Sequence, residues 1–111
     1  MAARALVSMA VIAAIGGFVV AAQAAEVADA VRGERLSQRW CAGCHMVVAD
    51  QAKASPDAPS FAALANDPKR TPEGIADFLT LPGTTHSKMP DLQLSRVEIL
   101  DIAAHIATLK K

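Results

Sequence analysis

Two thiols and an imidazole stand within five residues of this chain, in the run Cys41-Ala42-Gly43-Cys44-His45. Its 111 residues hold no other cysteine, and these two are too close together to staple distant segments. Thiols three apart on a helical turn lie on the same side. Both can therefore form thioethers with the two vinyl groups on one edge of a porphyrin, and this spacing is the attachment signature of haem c. His45 then sits beneath the ring with a nitrogen directed at the iron, for which imidazole is a suitable ligand. Ala42 and Gly43 are small enough to leave the ring edge clear. Zinc would need a second pair of Cys or His, and no second cysteine pair exists. A thioredoxin-like C-x-x-C sits beside a βαβ pattern, and no strand pattern is present.

The opposite face of such a ring calls for a second axial ligand. Of the four methionines, Met1 and Met9 fall in an N-terminal leader, and Met46 is chained to the His45 side. Met89 remains, in a loop stiffened by Pro90 immediately after it. On composition alone it reads as a gap-filling core methionine. His86 is near enough in sequence to take the same place, so Met89 and His86 both stay open as partners to His45. His105 lies on the flank of the last helix, where a packed or solvated role is expected. The choice matters because thioether sulfur raises the potential of the iron.

These groups must be positioned by helices, since alternating β-branched or aromatic runs are absent. A first helix is expected from an N-cap at Asp29 into the cysteine motif, with Gly33, Leu36 and Trp40 on one face. A glycine inside a helix costs about 1 kcal/mol against alanine, so Gly33 suggests a close approach by another helix. Residues 47–59 are rich in Ala, Asp, Lys, Ser and Pro and read as a surface loop. A short helix follows Ser60, covering Phe61 to Ala65, and Asn66-Asp67-Pro68 ends it. Thr71, Pro72 and Glu73 open the next, which stops at Pro82-Gly83 with Ile75, Phe78 and Leu79 on one face. The last helix carries a capping box of Ser95 and Glu98 and a hydrophobic staple of Leu94 and Ile99. Its buried stripe is Ile99, Ile102, Ala103, Ile106 and Leu109, expected to cross the first helix at Gly33.

The chain start differs in character. Arg4 precedes an apolar run from Ala5 to Val20, and Ala22-Gln23-Ala24 offers small residues for a signal peptidase. The run is short against the about 20 residues of a membrane-spanning helix. Residues 1–24 are expected to be a signal peptide and 25–111 the single domain, exported to the periplasm without stable membrane insertion. Eleven basic and 11 acidic residues balance; loss of Arg4 with the leader leaves 10 against 11, a net charge of −1. No basic patch for nucleic acid emerges. One Trp, three Phe and no Tyr offer little with which to fill a core, and a domain of this size is marginal alone. A large apolar prosthetic group would supply the missing interior.

The chain from about Asp29 to Lys111 resembles the class I bacterial c-type cytochromes, small monohaem proteins. The resemblance rests on Gly33 eight residues before the first cysteine, on Cys41 to His45, on Pro59 after the haem loop, on Met89-Pro90, and on the amphipathic helix from Ser95 to Lys110. It implies an all-α fold of three main helices and a short one around one haem. It also implies that the carbonyl of Pro59, with Pro56 as the alternative, accepts a hydrogen bond from the His45 imidazole. Two positions depart from the pattern: His105 stands where the family has an aromatic against the first-helix glycine, and Ser37 stands where mitochondrial relatives have one, with Leu36 as its substitute.

The function implied is outer-sphere electron transfer by a monomeric carrier, not an enzyme and without catalytic residues. It would exchange electrons with redox proteins, a membrane respiratory complex or a periplasmic dehydrogenase. Its cofactor is one covalently attached haem c with its iron; the haem is held by Cys41, Cys44, His45, Met89 and Pro59, and the iron by His45 and Met89. The alternatives are a haem subunit of a larger oxidoreductase and an open-site haem protein that binds small gases.

Overall fold

The structure, a computed structural model, describes residues 27–81 and 88–111. The expected leader over 1–24, the Pro82-Gly83 stop and His86 lie outside the described residues. The described elements are α1 (Ala30–Trp40), α2 (Phe61–Asn66), α3 (Pro72–Thr80) and α4 (Arg96–Thr108), with no strand among the described residues. None of these helices is long and apolar enough to cross a membrane.

Each helix starts at a residue whose side chain satisfies otherwise unpaired N–H groups. Asp29 accepts from Val31 and Arg32 at α1, and these bonds, that from Arg32 foremost, hold its carboxyl below the ordinary aspartate range. Ser60 opens α2, and Thr71 opens α3 with Pro72 in the first turn. Ser95 and Glu98 close a reciprocal capping box on α4. The last turn of α4 is tied to α2 through Asn66. Its side-chain amide donates to the carbonyls of Ala62 and Leu109, and its oxygen accepts from the Lys111 N–H.

All three other helices pack on α4. Ile99, Ile102, Ala103 and Ile106 are buried, together with Cys41, Val47, Phe61, Ile75 and Ala76 from the facing elements; Leu109 is half-buried at the margin. The closest approach is between α1 and α4. A Cβ added to Gly33 would lie 1.9 Å from the backbone oxygen of Asp101, so only glycine fits there. Beside this crossing the Asp101 carboxylate is fully buried. It accepts from the backbone N–H of Asp29 at 2.7 Å and from the Arg32 guanidinium, tying the start of α1 to the middle of α4.

The buried line of α1 differs from the expected one. It runs Gly33, Ser37, Cys41, while Leu36 packs at its edge and Trp40 is 47% exposed. The i, i+4 row faces α4 because the tight crossing admits only small side chains along it. Ser37 is tolerated there because its hydroxyl donates to the Gly33 carbonyl at 2.7 Å. Trp40 is turned outward beneath the Arg39 guanidinium, 4.8 Å from its ring centroid. On α3, Ile75 and Ala76 are buried and Leu79 packs against the core, with Phe78 36% exposed.

Gly33→Ala is expected to force α1 and α4 apart. The helix propensity gained is about 1 kcal/mol, whereas overpacking against unyielding backbone costs about 1–3 kcal/mol or more. Denaturant unfolding should therefore show a net loss of stability, and a stabilised variant would contradict the crossing.

Candidate functional site

Where α1 ends at Trp40 the chain continues through a turn over Cys41 to His45. The N–H groups of Cys44 and His45 both donate to the Cys41 carbonyl, at 3.1 and 2.8 Å. Beyond α1 the backbone has no regular partners of its own, and its carbonyls there are met from distant parts of the chain. The Cys44 carbonyl accepts from Ser55 N–H at 2.8 Å and the Met46 carbonyl from Phe61 N–H at 2.9 Å. The Val47 carbonyl is 2.9 Å from His105 Nε2. Gln51 serves three more: its amide nitrogen donates to Ala42, His45 and Lys53 carbonyls at 3.1, 2.7 and 2.7 Å, and its oxygen accepts from Val47 N–H at 2.9 Å.

His45 Nδ1 lies 2.7 Å from the carbonyl oxygen of Pro59, which can only accept. Nδ1 therefore carries the proton, and Nε2 keeps its lone pair for a ligand. Pro59, rather than Pro56, takes this place. The ring's other neighbour is buried Phe61, with centroids 5.5 Å apart, and behind it the His105 ring lies 6.1 Å from Phe61. His105 is packed, not solvated.

Neither cysteine is in a disulfide. Cys44 is exposed, while Cys41 is buried and burial pushes its thiol up to about 11. Met89 is half-buried and lines a hollow whose apolar walls are Leu79, Leu81, Pro90, Leu92 and Leu94; His45 is not part of that lining. Exposed Lys88 precedes it. Gln93, beyond it, has a φ of 54° and donates its N–H to the Asp91 carboxylate, a tight turn that leads into α4.

Among the described residues no three His, Cys, Asp or Glu side chains converge as an ion site, Cys41, Cys44 and His45 included. The donors instead suit a large planar group: two free thiols for its edge, one imidazole nitrogen with an available lone pair, and a thioether in an apolar setting. Large apolar side chains left at the surface, Trp40 and Leu81 among them, match a fold that expects further apolar mass.

Sequence reasoning missed Gln51 and Asp101. Gln51 is one polar residue in a polar loop, and Asp101 sits between apolar stripe positions as any solvated acid would; the pattern of residue types marks neither. His105 was visible as a departure at a buried register, without its partner.

The family model described as Cytochrome c matches residues 30–110, a span that holds all four helices. Cytochrome c-552 of Bradyrhizobium diazoefficiens is 51% identical over 83 residues, 75% of this chain and 77% of that protein. No solved structure matches the chain.

Replacing His105 by Phe supplies the aromatic but removes the donor at the Val47 carbonyl. An unsatisfied buried carbonyl costs about 1–3 kcal/mol, so His105→Phe is expected to lower the denaturation midpoint. An unchanged midpoint would mean that ring packing alone matters at this position.

Proposed function

The chain belongs to the cytochrome c family, electron-carrier haem proteins whose haem c is covalently attached, and on that footing we propose that it is a periplasmic monohaem carrier shuttling electrons between redox proteins. Cys41 and Cys44 would hold the haem edge by thioethers, and His45 Nε2 and Met89 would ligate the iron from opposite faces. The observation that carries this reading is the 2.7 Å contact of His45 Nδ1 with the Pro59 carbonyl. It fixes the tautomer, orients the ring and makes Nε2 a stronger donor, as hydrogen-bonded partners of ligating histidines do. Bound in this way, the haem supplies an iron that alternates between ferrous and ferric states.

An imidazole and a thioether that both held the iron would leave it no place for a substrate, which favours a carrier over an enzyme or a gas-binding protein. Residues 1–24 act in this reading as a cleaved signal peptide, leaving 25–111 as a monomeric domain. The partners are a membrane respiratory complex or a periplasmic dehydrogenase. Docking is transient, through a small interface, and exposed Lys88 beside the ligand loop steers an acidic partner.

Spectra of the protein matured with haem-attachment machinery test the reading. Haem should stay with the denatured chain, and the ferric form should show the weak sulfur-to-iron band of methionine ligation. Met89→Ala should abolish that band and let ferrous protein bind carbon monoxide rapidly. Rapid binding by the unaltered protein would instead establish an open site.

Lys88→Glu is expected to slow reduction by an acidic partner and to flatten its dependence on ionic strength. Exposed charges act over about 8–10 Å at physiological salt, so the effect should be largest at low salt. A rate unchanged at every salt concentration would remove Lys88 from the docking surface.

A further inference from the structure

One side chain makes most of the side-chain hydrogen bonds to the loop that carries His45. Gln51 is half-buried, and its amide touches four backbone groups on both sides of Cys44. Val47 N–H is a donor and requires an acceptor, which places the Gln51 oxygen there. The three carbonyls require donors, which places the nitrogen opposite them. The amide orientation is thus fixed by its partners. Two N–H groups serve three carbonyls, with the short contacts at His45 and Lys53 and the longer one at Ala42.

We propose that Gln51 is a positioning residue for the axial histidine, setting the strength of the His45–Pro59 hydrogen bond and through it the potential of the iron. This rests on the haem reading above. The His45 ring has two anchors: its own backbone, where Gln51 grips the carbonyl at 2.7 Å, and the Pro59 carbonyl 2.7 Å from Nδ1. Pro59 leads into α2, whose start is capped by the Ser60 hydroxyl, and the Phe61 N–H bond to the Met46 carbonyl at 2.9 Å joins that start to the turn beyond His45. With one end of the bond fixed by α2 and the other by Gln51, loosening the glutamine lets His45 drift from Pro59. A weaker bond leaves Nε2 a poorer donor, which favours ferrous iron over ferric and raises the potential.

The test uses the haem-loaded protein and two readouts: the midpoint potential and the exchange rate of the His45 Nδ1 proton in the ferrous state by NMR. Gln51→Leu, apolar and uncharged, is expected to speed that exchange and shift the redox equilibrium roughly tenfold towards ferrous, about 59 mV for one electron. Gln51→Asn keeps an amide on a shorter arm and should move both readouts the same way by less. It also serves if the leucine variant does not retain haem. Gln38→Ala, which loses an exposed side-chain bond to Glu34 on α1, should move neither. A lowered melting temperature with unchanged potential and unchanged exchange in either glutamine variant would make Gln51 merely structural and overturn the proposal. Failure of the unaltered protein to attach haem would instead overturn the haem reading itself.

Discussion

The site depends on a helix that stops in the right place. α1 ends at Trp40 so that the thiols of Cys41 and Cys44 and the ring of His45 follow on one tight turn, and the irregular backbone of that turn needs partners for its carbonyls. Unpaired buried carbonyls are costly, and those from Cys44 to Val47 are each met by a donor from elsewhere: Ser55, Gln51, Phe61 and His105. The segments that supply these donors are thereby locked around the attachment turn. The loop over 47–59, α2 and α4 are in place because the turn needs them.

α4 is the second half of that arrangement. It meets α1 at Gly33, where backbone lies against backbone, and presents His105 one turn further on to the Val47 carbonyl. Asp101 fixes the crossing from the other side, since a fully buried carboxylate tolerates burial only with donors in place and finds them at Asp29 N–H and Arg32. The start of α1, the middle of α4 and the turn after α1 therefore form one continuous set of contacts. A shift of α4 along α1 would break it at both ends.

How much of this the sequence revealed follows from the range of each interaction. The helices were legible because their signals are local: Asp29, Ser60, Thr71-Pro72 and the Ser95–Glu98 box each announce a start within four residues. Gly33 was legible because glycine inside a helix has few uses besides close approach, and the Cys41–His45 run because its spacing suits few other chemistries. Pro59 at His45 followed from the family resemblance, and the geometry agrees with it. Trp40 was misplaced because a face assigned by apolarity ignores size; the tight crossing selects Gly33, Ser37 and Cys41, and the large ring is excluded. Gln51 and Asp101 were illegible because their bonds join residues whose proximity exists only in the fold, at separations the residue type does not encode.

The core of the described residues is thin. The buried apolar side chains among the described residues include two alanines and a cysteine, and the rest are mainly α4 isoleucines with Phe61, Val47 and Ile75. Small domains bury too little surface to be stable with ease, and this one keeps a tryptophan at its surface. Haem c adds an apolar mass larger than any side chain and, being bonded to Cys41 and Cys44, cannot be lost by dissociation. Tethered to the folded and the unfolded chain alike, it stabilises the fold through the apolar surface that it buries only there; with His45 as the iron ligand proposed above, that stabilisation would reach Pro59, Phe61 and α2. The contacts that orient the imidazole would then be the same contacts through which the haem holds the chain in shape.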